Sequence, residues 1–117
     1  MGRFRQSVRQ QDWGHFIVLA VRGELNASSS EELRKSVLKI QDARPVILDL
    51  SGVPRCDGAG IAVVTEIQHQ LEDQAWAFAV VADPDGPCAK ALEADPEPIG
   101  TYPDRRAARS ALHHAAL

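Results

Sequence analysis

The centre of the chain reads Val46-Ile-Leu-Asp-Leu-Ser-Gly-Val53 and, after Pro54, continues with Asp57-Gly-Ala-Gly-Ile-Ala62. A run of aliphatic residues closed by Ser-Gly is typical of a strand that is covered on both faces. An aspartate beside glycines, followed by apolar residues at helical spacing, is typical of a capped helix start. The centre therefore predicts a strand–turn–helix unit. Within the strand, Asp49 is either a hydrogen-bonded structural residue or a group that faces the strand's carboxyl end.

The same alternation extends to both sides of this unit. Upstream, the apolar run 16–21 predicts a strand, and Ser29-x-x-Glu32 predicts a capping box at the start of the next helix. Downstream, we expect a strand over 76–82, a short helix from Pro87 to before Pro96, a short strand over 99–102, and a last helix from about Asp104. Residues 4–8 are a candidate for an antiparallel edge strand. Strands that alternate with helices over short links predict an α/β fold with right-handed crossovers and a mostly parallel sheet, and with helices that start near Ser29 and Gly60.

Composition limits the class of protein. The length of 117 residues corresponds to a single domain over 1–117, and the 44% hydrophobic fraction supplies an ordinary core. The net charge of −3 disfavours a nucleic-acid binder, which would need a basic surplus. The run 16–21 is too short to span a membrane or to form a signal peptide, so we expect no membrane insertion and a cytoplasmic location. The arginines near both ends are expected to be solvated surface: Arg3, Arg5, Arg9, Arg105, Arg106 and Arg109.

Metal and cofactor chemistry has little support in the sequence. The two cysteines, Cys56 and Cys88, form no disulfide framework or zinc-binding spacing and indicate a reducing compartment. Gly58-Ala-Gly60 lacks the third glycine of a dinucleotide-binding fingerprint. No metal-ligand spacing links the four histidines, which are His15, His69, His113 and His114. We therefore predict no metal, no cofactor and no enzyme activity.

Four strings, in order along the chain, resemble the STAS domain family (sulfate transporter and anti-sigma factor antagonist). Val21-Arg-Gly-Glu-Leu-Asn26 resembles the family's G-E-L-D element, and the strand 46–53 resembles V-x-L-D-L-S-x-V. The segment 56–62 lies where the family has D-S-S-G-L or D-T-A-G-L, and 102–108 resembles the closing strand-to-helix turn. The resemblance implies a STAS-like (SpoIIAA-like) fold, a sheet of four or five strands with helices mainly on one side. It also implies docking onto another protein instead of catalysis.

The loop before the central helix departs from the phosphorylated members of that family. In those members, the serine just before the loop glycine takes phosphate from a partner kinase. Here that position is Ala59 and the preceding one is Gly58, and neither has a hydroxyl. The resemblance implies a partner-binding surface without the phosphorylation switch, formed by Asp57, Gly58, Ala59 and Gly60 together with Asn26, which replaces the family's aspartate. From the residues alone, Asp57 is equally well explained as the cap of a tight turn into a helix.

Three functions from different classes follow. The pattern Asp57-x-Ala-Gly-Ile-Ala62 is similar to that of the STAS components of bacterial lipid-transport ABC systems, which dock on the transporter core. Our first hypothesis is thus an accessory subunit or domain of such a system. The alternative is an anti-sigma factor antagonist, or a switchless member of that network, whose partner is an anti-sigma factor kinase. The third, an enzyme with Cys56 as nucleophile, is disfavoured because no base lies near it in sequence, and a buried structural thiol is more common.

Overall fold

The computed structural model describes residues 8–40, 44–74, 76–96 and 98–115, without the side chains of 113–115. The strands are β1 (Val8–Asp12), β2 (Ile17–Arg22), β3 (Val46–Gly52), β4 (Phe78–Val81) and β5 (Thr101–Tyr102). The helices are α1 (Ala27–Leu38), α2 (Gly58–Asp73), α3 (Pro87–Ala94) and α4 (Arg105–Ala115). The five strands form one sheet in the order β1-β2-β3-β4-β5, in which β1 is antiparallel to β2 and all other pairs are parallel. The predicted α/β fold is confirmed.

The two faces of the sheet carry different numbers of helices. Because side chains alternate along a strand, Leu19 and Leu48 point to one face while Val18 and Ile47 point to the other. The first face packs against α1, α2 and α3, whose buried side chains join the larger core cluster. On the second face, α4 packs through Ala108 and Leu112. Three helices on one face and one on the other agree with helices placed mainly on one side.

The second face is only partly covered. The helix α4 packs on β3, β4 and β5. On this face it leaves β1 and the carboxyl-terminal half of β2 uncovered, so that Arg9 and Arg22 are exposed and Gln11 and Ala20 are only partly buried. A polar half-face of this kind can remain in contact with water, unlike the apolar face beneath three helices.

The helix α1 starts with a capping box, but Asn26 and Ser29 form it and not the predicted pair of Ser29 and Glu32. The helix begins earlier, with Asn26 as N-cap: its Oδ1 accepts from the backbone N–H groups of Ser28 and Ser29, at 3.1 and 3.2 Å. Ser29 Oγ accepts in turn from the N–H of Asn26, at 2.9 Å. Glu32 is used elsewhere, because its Oε2 accepts from the N–H of Val8 at 3.0 Å and so holds β1 to α1. The long-range hydrogen bond from Val8 to Glu32 takes the place of the predicted local bond from the N–H of Ser29 to Glu32.

The other boundaries differ by a few residues. The antiparallel edge strand exists, but it spans Val8–Asp12, and residues 4–7 lie outside the described part of the chain. The strand β4 is shorter than the predicted 76–82 and begins at Phe78, because the backbone N–H of Trp76 donates to the carbonyl oxygen of Leu71 in the last turn of α2, at 2.8 Å, instead of to a neighbouring strand. The prediction of Pro87 as the first residue of a short helix that ends before Pro96 is confirmed.

Candidate partner-docking surface

Two helices begin side by side at the carboxyl ends of β2 and β3. Leu25 and Cys56 form an isolated parallel bridge, in which the N–H of Leu25 donates to the carbonyl oxygen of Arg55 at 2.9 Å. The N–H of Asp57 donates to the carbonyl oxygen of Leu25 at 3.2 Å. These bonds tie the start of α1 to the start of α2. We call the exposed area formed by residues 24–28 and 55–59 the helix-start surface.

Each of the two helices is capped by a side chain from this surface. Asn26 caps α1, and Asp57 caps α2 by accepting from the N–H of Gly60 at 3.0 Å. An N-cap side chain typically stabilises its helix by about 1 kcal/mol. The predicted capping role of Asp57 is confirmed. The amide of Asn26 supplies the same acceptor as the aspartate found in the resembling family, so the cap needs no charge there.

Gly60 lies in the interior, although the sequence led us to expect it at the partner surface. A Cβ built on Gly60 would lie 2.6 Å from the carbonyl oxygen and 2.8 Å from Cγ of Leu25, closer than real Cβ atoms approach such neighbours. It would also lie 3.2 Å from Sγ of Cys56. The missing side chain therefore permits close packing between α2 and the segment that precedes α1. Of the four loop residues, Asp57, Gly58 and Ala59 are exposed.

The exposed first turn of α2 offers backbone to a partner. A Cβ built on Gly58 would meet nothing within 4 Å, so solvent reaches the backbone there. The N–H groups of Gly58 and Ala59 belong to the first turn, where a helix supplies no internal acceptor, while the Asp57 carboxylate accepts from Gly60. Behind this turn, Ser30 Oγ donates to the carbonyl oxygen of Ala59 at 3.4 Å and links it to α1.

The charges around the helix-start surface are mixed. Both helices direct the positive ends of their dipoles at it. The carboxylate of Asp57 is exposed, and Glu24 and Arg55 form an exposed ion pair of 3.8 Å at its edge. Exposed pairs of this kind contribute little to stability and are free to exchange for partners in a complex. The surface thus combines a fixed backbone with adaptable charged side chains.

The thiol of Cys56 lies at the rear of this surface. It is half-buried, and neither Cys56 nor Cys88 is in a disulfide. Hydrogen bonding to the neighbouring Cys88 thiol, together with burial, raises the pKa of Cys56 above the ordinary value. A nucleophilic cysteine needs a lowered pKa, because the thiolate is the reactive form. The protonated thiol of Cys56 matches the structural role that the sequence favoured.

A second constellation lies on the opposite face of the sheet. The buried carboxylate of Asp49 accepts from Nε of Arg105 at 2.6 Å and from the N–H and Oγ of Ser51 at 2.9 and 2.7 Å. Burial alone would raise the pKa of Asp49, but the hydrogen bonds from Ser51 and Arg105 outweigh it and lower that pKa. Of the two interpretations of Asp49, the structure selects the hydrogen-bonded one. It also corrects the expectation for Arg105, which is partly buried and paired instead of solvated.

The sequence contained little signal for this constellation. Nothing local connects Asp49 with Arg105, which lies 56 residues further along the chain. The only hint was an aspartate inside an apolar strand, since a buried carboxylate needs a partner.

The part of the chain that the structure covers lacks two kinds of feature. Within it, no group of three or more histidine, cysteine, aspartate or glutamate side chains could hold a metal ion. None of the helices described there is long and apolar enough to cross a membrane.

The sequence matches one family model. That model, described as Mlab, STAS domain, matches residues 8–94, which include β1 to β4 and both helix starts. Among curated proteins, no sequence matches.

Solved structures are similar to this fold over nearly its whole length. An anti-sigma factor antagonist from Mycobacterium paratuberculosis has a TM-score of 0.74 and 20% identity, over 91% of this chain and 92% of its own. The anti-sigma factor antagonist SpoIIAA in its unphosphorylated form has a TM-score of 0.68 and 17% identity, over 91% and 97%. A structure of Mglu has a TM-score of 0.59 and 21% identity over 80% of this chain, which spans only 21% of the Mglu chain. At these identities the likenesses show the SpoIIAA-like fold alone.

Proposed function

The chain belongs to the STAS domain family, and from that premise we propose that it docks on a partner protein through its helix-start surface, without a phosphorylation switch at the family position. The observation that carries this proposal is the first turn of α2, which is exposed at Gly58 and Ala59 and held from behind by the Leu25–Cys56 bridge. A rigid, solvent-facing backbone loses little conformational entropy on binding, which favours a docking role. We also propose that residues 1–117 form one STAS domain and that this domain acts in the cytoplasm.

A non-catalytic role is supported by the chemistry of the surface. Hydrogen bonding to Cys88 and burial raise the pKa of Cys56, the one nucleophile considered from the sequence, which disfavours its thiolate. No phosphate can be attached at Gly58 or Ala59, because neither has a hydroxyl. The partner is thus expected to bind constitutively, with any regulation supplied elsewhere. The net charge of −3 supports a protein partner over a nucleic acid.

We propose that the partner is the core of a bacterial lipid-transport ABC system, with this chain as an accessory subunit or domain. Two observations support it: the loop pattern Asp57-x-Ala-Gly-Ile-Ala62, and the Mlab, STAS domain model that matches residues 8–94. The second candidate is an anti-sigma factor antagonist whose partner is an anti-sigma factor kinase. The anti-sigma factor antagonists similar to this chain over more than 90% of its length favour that alternative. Ala59 discriminates against it, because the phosphorylated members carry a serine there.

A pull-down with both classes of partner tests the proposal. The purified full chain is offered a transporter permease–ATPase core and an anti-sigma factor kinase, each taken from the genome that encodes this chain. We expect capture of the transporter core, and capture of the kinase alone would establish the alternative. The variant Ala59→Glu should weaken capture, because a bulky charge would occupy the exposed first turn.

A matched control separates this effect from a loss of stability. Ala59→Glu should keep the melting temperature of the parent, since a carboxylate near a helix start is favourable to the dipole. Ala94→Glu introduces the same charge at an exposed alanine at the end of α3 and should leave capture unchanged. If Ala59→Glu is captured as well as the parent, the docking surface lies elsewhere on the domain.

A further inference from the structure

The half-face that α4 leaves uncovered forms an open channel beside that helix. One part is a hollow of about 660 Å³ over β1 to β3. A second hollow, of about 500 Å³, continues on the other side of Arg105 towards Trp13. The two hollows share Asp49, Ser51 and Arg105 in their walls, so they adjoin, and we describe them together as one channel.

Positive charge is concentrated in this channel. Five arginines line it, against the two carboxylates of Asp49 and Asp104. The five are Arg9, Arg22, Arg105, Arg106 and Arg109, and we call the channel the arginine groove. Both carboxylates are already engaged, Asp49 by Arg105 and Asp104 by the N–H of Ala107 at 2.8 Å. In a chain of net charge −3, a groove with a positive surplus is a local departure that attracts anionic groups.

The two arginines that the strands contribute are free to bind. Within the described residues, the side chains of Arg9 and Arg22 have no hydrogen bond and no ion pair, and both are exposed. They line the same hollow from neighbouring strands, β1 and β2. An arginine presents up to five N–H donors and matches carboxylates in a bidentate geometry.

The centre of the groove is rigid. Arg105 donates from Nε to Asp49 at 2.6 Å and from Nη1 to Gln11 at 3.0 Å. Its guanidinium carbon lies 5.0 Å from the ring centroid of Trp13, in cation–π geometry. Trp13 is nonetheless 46% exposed. Leu38 is the only other large apolar residue in the described part of the chain that is exposed. Tryptophan and arginine are the residue types most enriched at binding hot spots.

We propose that the arginine groove is a second docking surface, and that its occupant is an acidic segment of a partner protein that also places an apolar side chain against Trp13. The groove and the helix-start surface differ in place, since α1 and α2 cover the other face of the sheet.

The chemistry of the groove selects this occupant. A small-molecule site encloses most of its ligand, whereas both hollows here are open along the sheet and the second one exposes the indole of Trp13. The start of this chain does not supply the charge, because residues 1–7 contain Arg3 and Arg5 and no carboxylate side chain. An extended acidic segment with an apolar anchor complements both the arginines and Trp13.

Fluorescence anisotropy with the full chain tests the proposal. The probe is a labelled peptide of alternating aspartate and leucine, and a lysine–leucine peptide is the control. We expect the acidic peptide alone to bind, and more weakly at high salt. Arg9→Gln and Arg22→Gln should each weaken binding about fivefold, and Trp13→Ala about tenfold. Arg55→Gln removes an exposed arginine of the helix-start surface and should have no effect.

Four results would overturn the proposal. The first is no binding of the acidic peptide, and the second is an equal loss for Arg55→Gln, which would show general charge attraction. The third is displacement of the peptide by inorganic phosphate at equal concentration, which would identify a small-oxyanion site. The fourth is a dimer in sedimentation experiments that Arg9→Gln dissociates, which would make a second copy of this chain the occupant. The groove and the helix-start surface are tested separately. Ala59→Glu changes only the helix-start surface, so this variant should bind the acidic peptide like the parent.

Discussion

Asp49, on the central strand β3, and Arg105, the first residue of α4, are joined by a hydrogen bond of 2.6 Å between a carboxylate oxygen and Nε. The side chain of Asp49 is only 8% exposed and that of Arg105 27%. The pair therefore attaches the helix to the sheet at the edge of its apolar contact, to which α4 contributes Ala108 and Leu112. It also holds Arg105 in the wall of the arginine groove.

The first prediction concerns the energetic weight of this pair. Asp49→Asn removes the charge while keeping the volume, and should lower the free energy of unfolding by about 2 kcal/mol. That is less than the 3–5 kcal/mol typical of a fully buried pair, because Arg105 is partly exposed. Urea unfolding followed by circular dichroism measures the change. Arg34→Gln, in the exposed ion pair with Glu66, is the control and should unfold close to the parent. An equal loss in both variants would contradict the special role of Asp49.

The second prediction concerns the pH dependence of stability. The pKa of Asp49 is lower in the folded state than the usual ~3.9 of an unfolded aspartate. The unfolded chain therefore takes up the proton first, and the stabilisation is present above about pH 4 and lost as the pH falls through the folded pKa. The difference in unfolding free energy between the parent and Asp49→Asn should shrink as the pH falls below about 5. Urea titrations across that range measure it, and a constant difference would be inconsistent with the lowered pKa.

The third prediction distinguishes two glycines of the same helix turn. Gly60→Ala should destabilise the fold by about 2 kcal/mol, because its Cβ would lie 2.6 Å from the carbonyl oxygen of Leu25. Gly58→Ala meets nothing within 4 Å and should leave stability unchanged or raise it by about 0.5 kcal/mol. Thermal melts of the two variants decide the matter. Equal melting temperatures would show that α2 can move away from Leu25 at no cost.

The fourth prediction concerns the cap of α1. Asn26→Asp keeps the acceptor for the N–H groups of Ser28 and Ser29, so its stability should equal or slightly exceed that of the parent. Asn26→Ala removes the acceptor and should cost about 1 kcal/mol. Glu32→Gln keeps an acceptor for Val8 and serves as control, with little change expected. If Asn26→Ala matches the parent in urea unfolding, the cap contributes nothing.

The fifth prediction concerns the reactivity of Cys56. Its pKa is raised, so little thiolate is present at neutral pH. Iodoacetamide should therefore modify Cys56 in the folded chain more slowly than in the chain unfolded in urea, where the thiol behaves as an ordinary cysteine of pKa about 8.5. Peptide mass spectrometry over a time course measures both rates. A faster reaction in the folded chain would revive the nucleophile hypothesis.

The predictions that the structure confirmed depend on interactions between residues close in sequence. The aliphatic run 46–50 and the polar turn after it predict a strand wherever they occur, because their periodicity and turn residues act over a few neighbours. Asp57 as a cap is equally local, since it needs only the N–H of Gly60, three residues further on. The missing hydroxyls at Gly58 and Ala59 are visible in the sequence itself.

Tertiary contacts decided the rest. Asn26 with Ser29 and Ser29 with Glu32 are both plausible capping pairs for α1. The choice between them depends on Val8 of β1, because its N–H donates to the carboxylate of Glu32. Gly60 looked like exposed backbone until the fold placed Leu25 against it. Asp49 and Arg105 meet across 56 residues only because a parallel sheet brings β3 and α4 together on one face. The sequence by itself determined the elements, because their signals are short-range. Only the folded chain determined which polar groups found partners, because each pairing depends on residues that are distant in sequence.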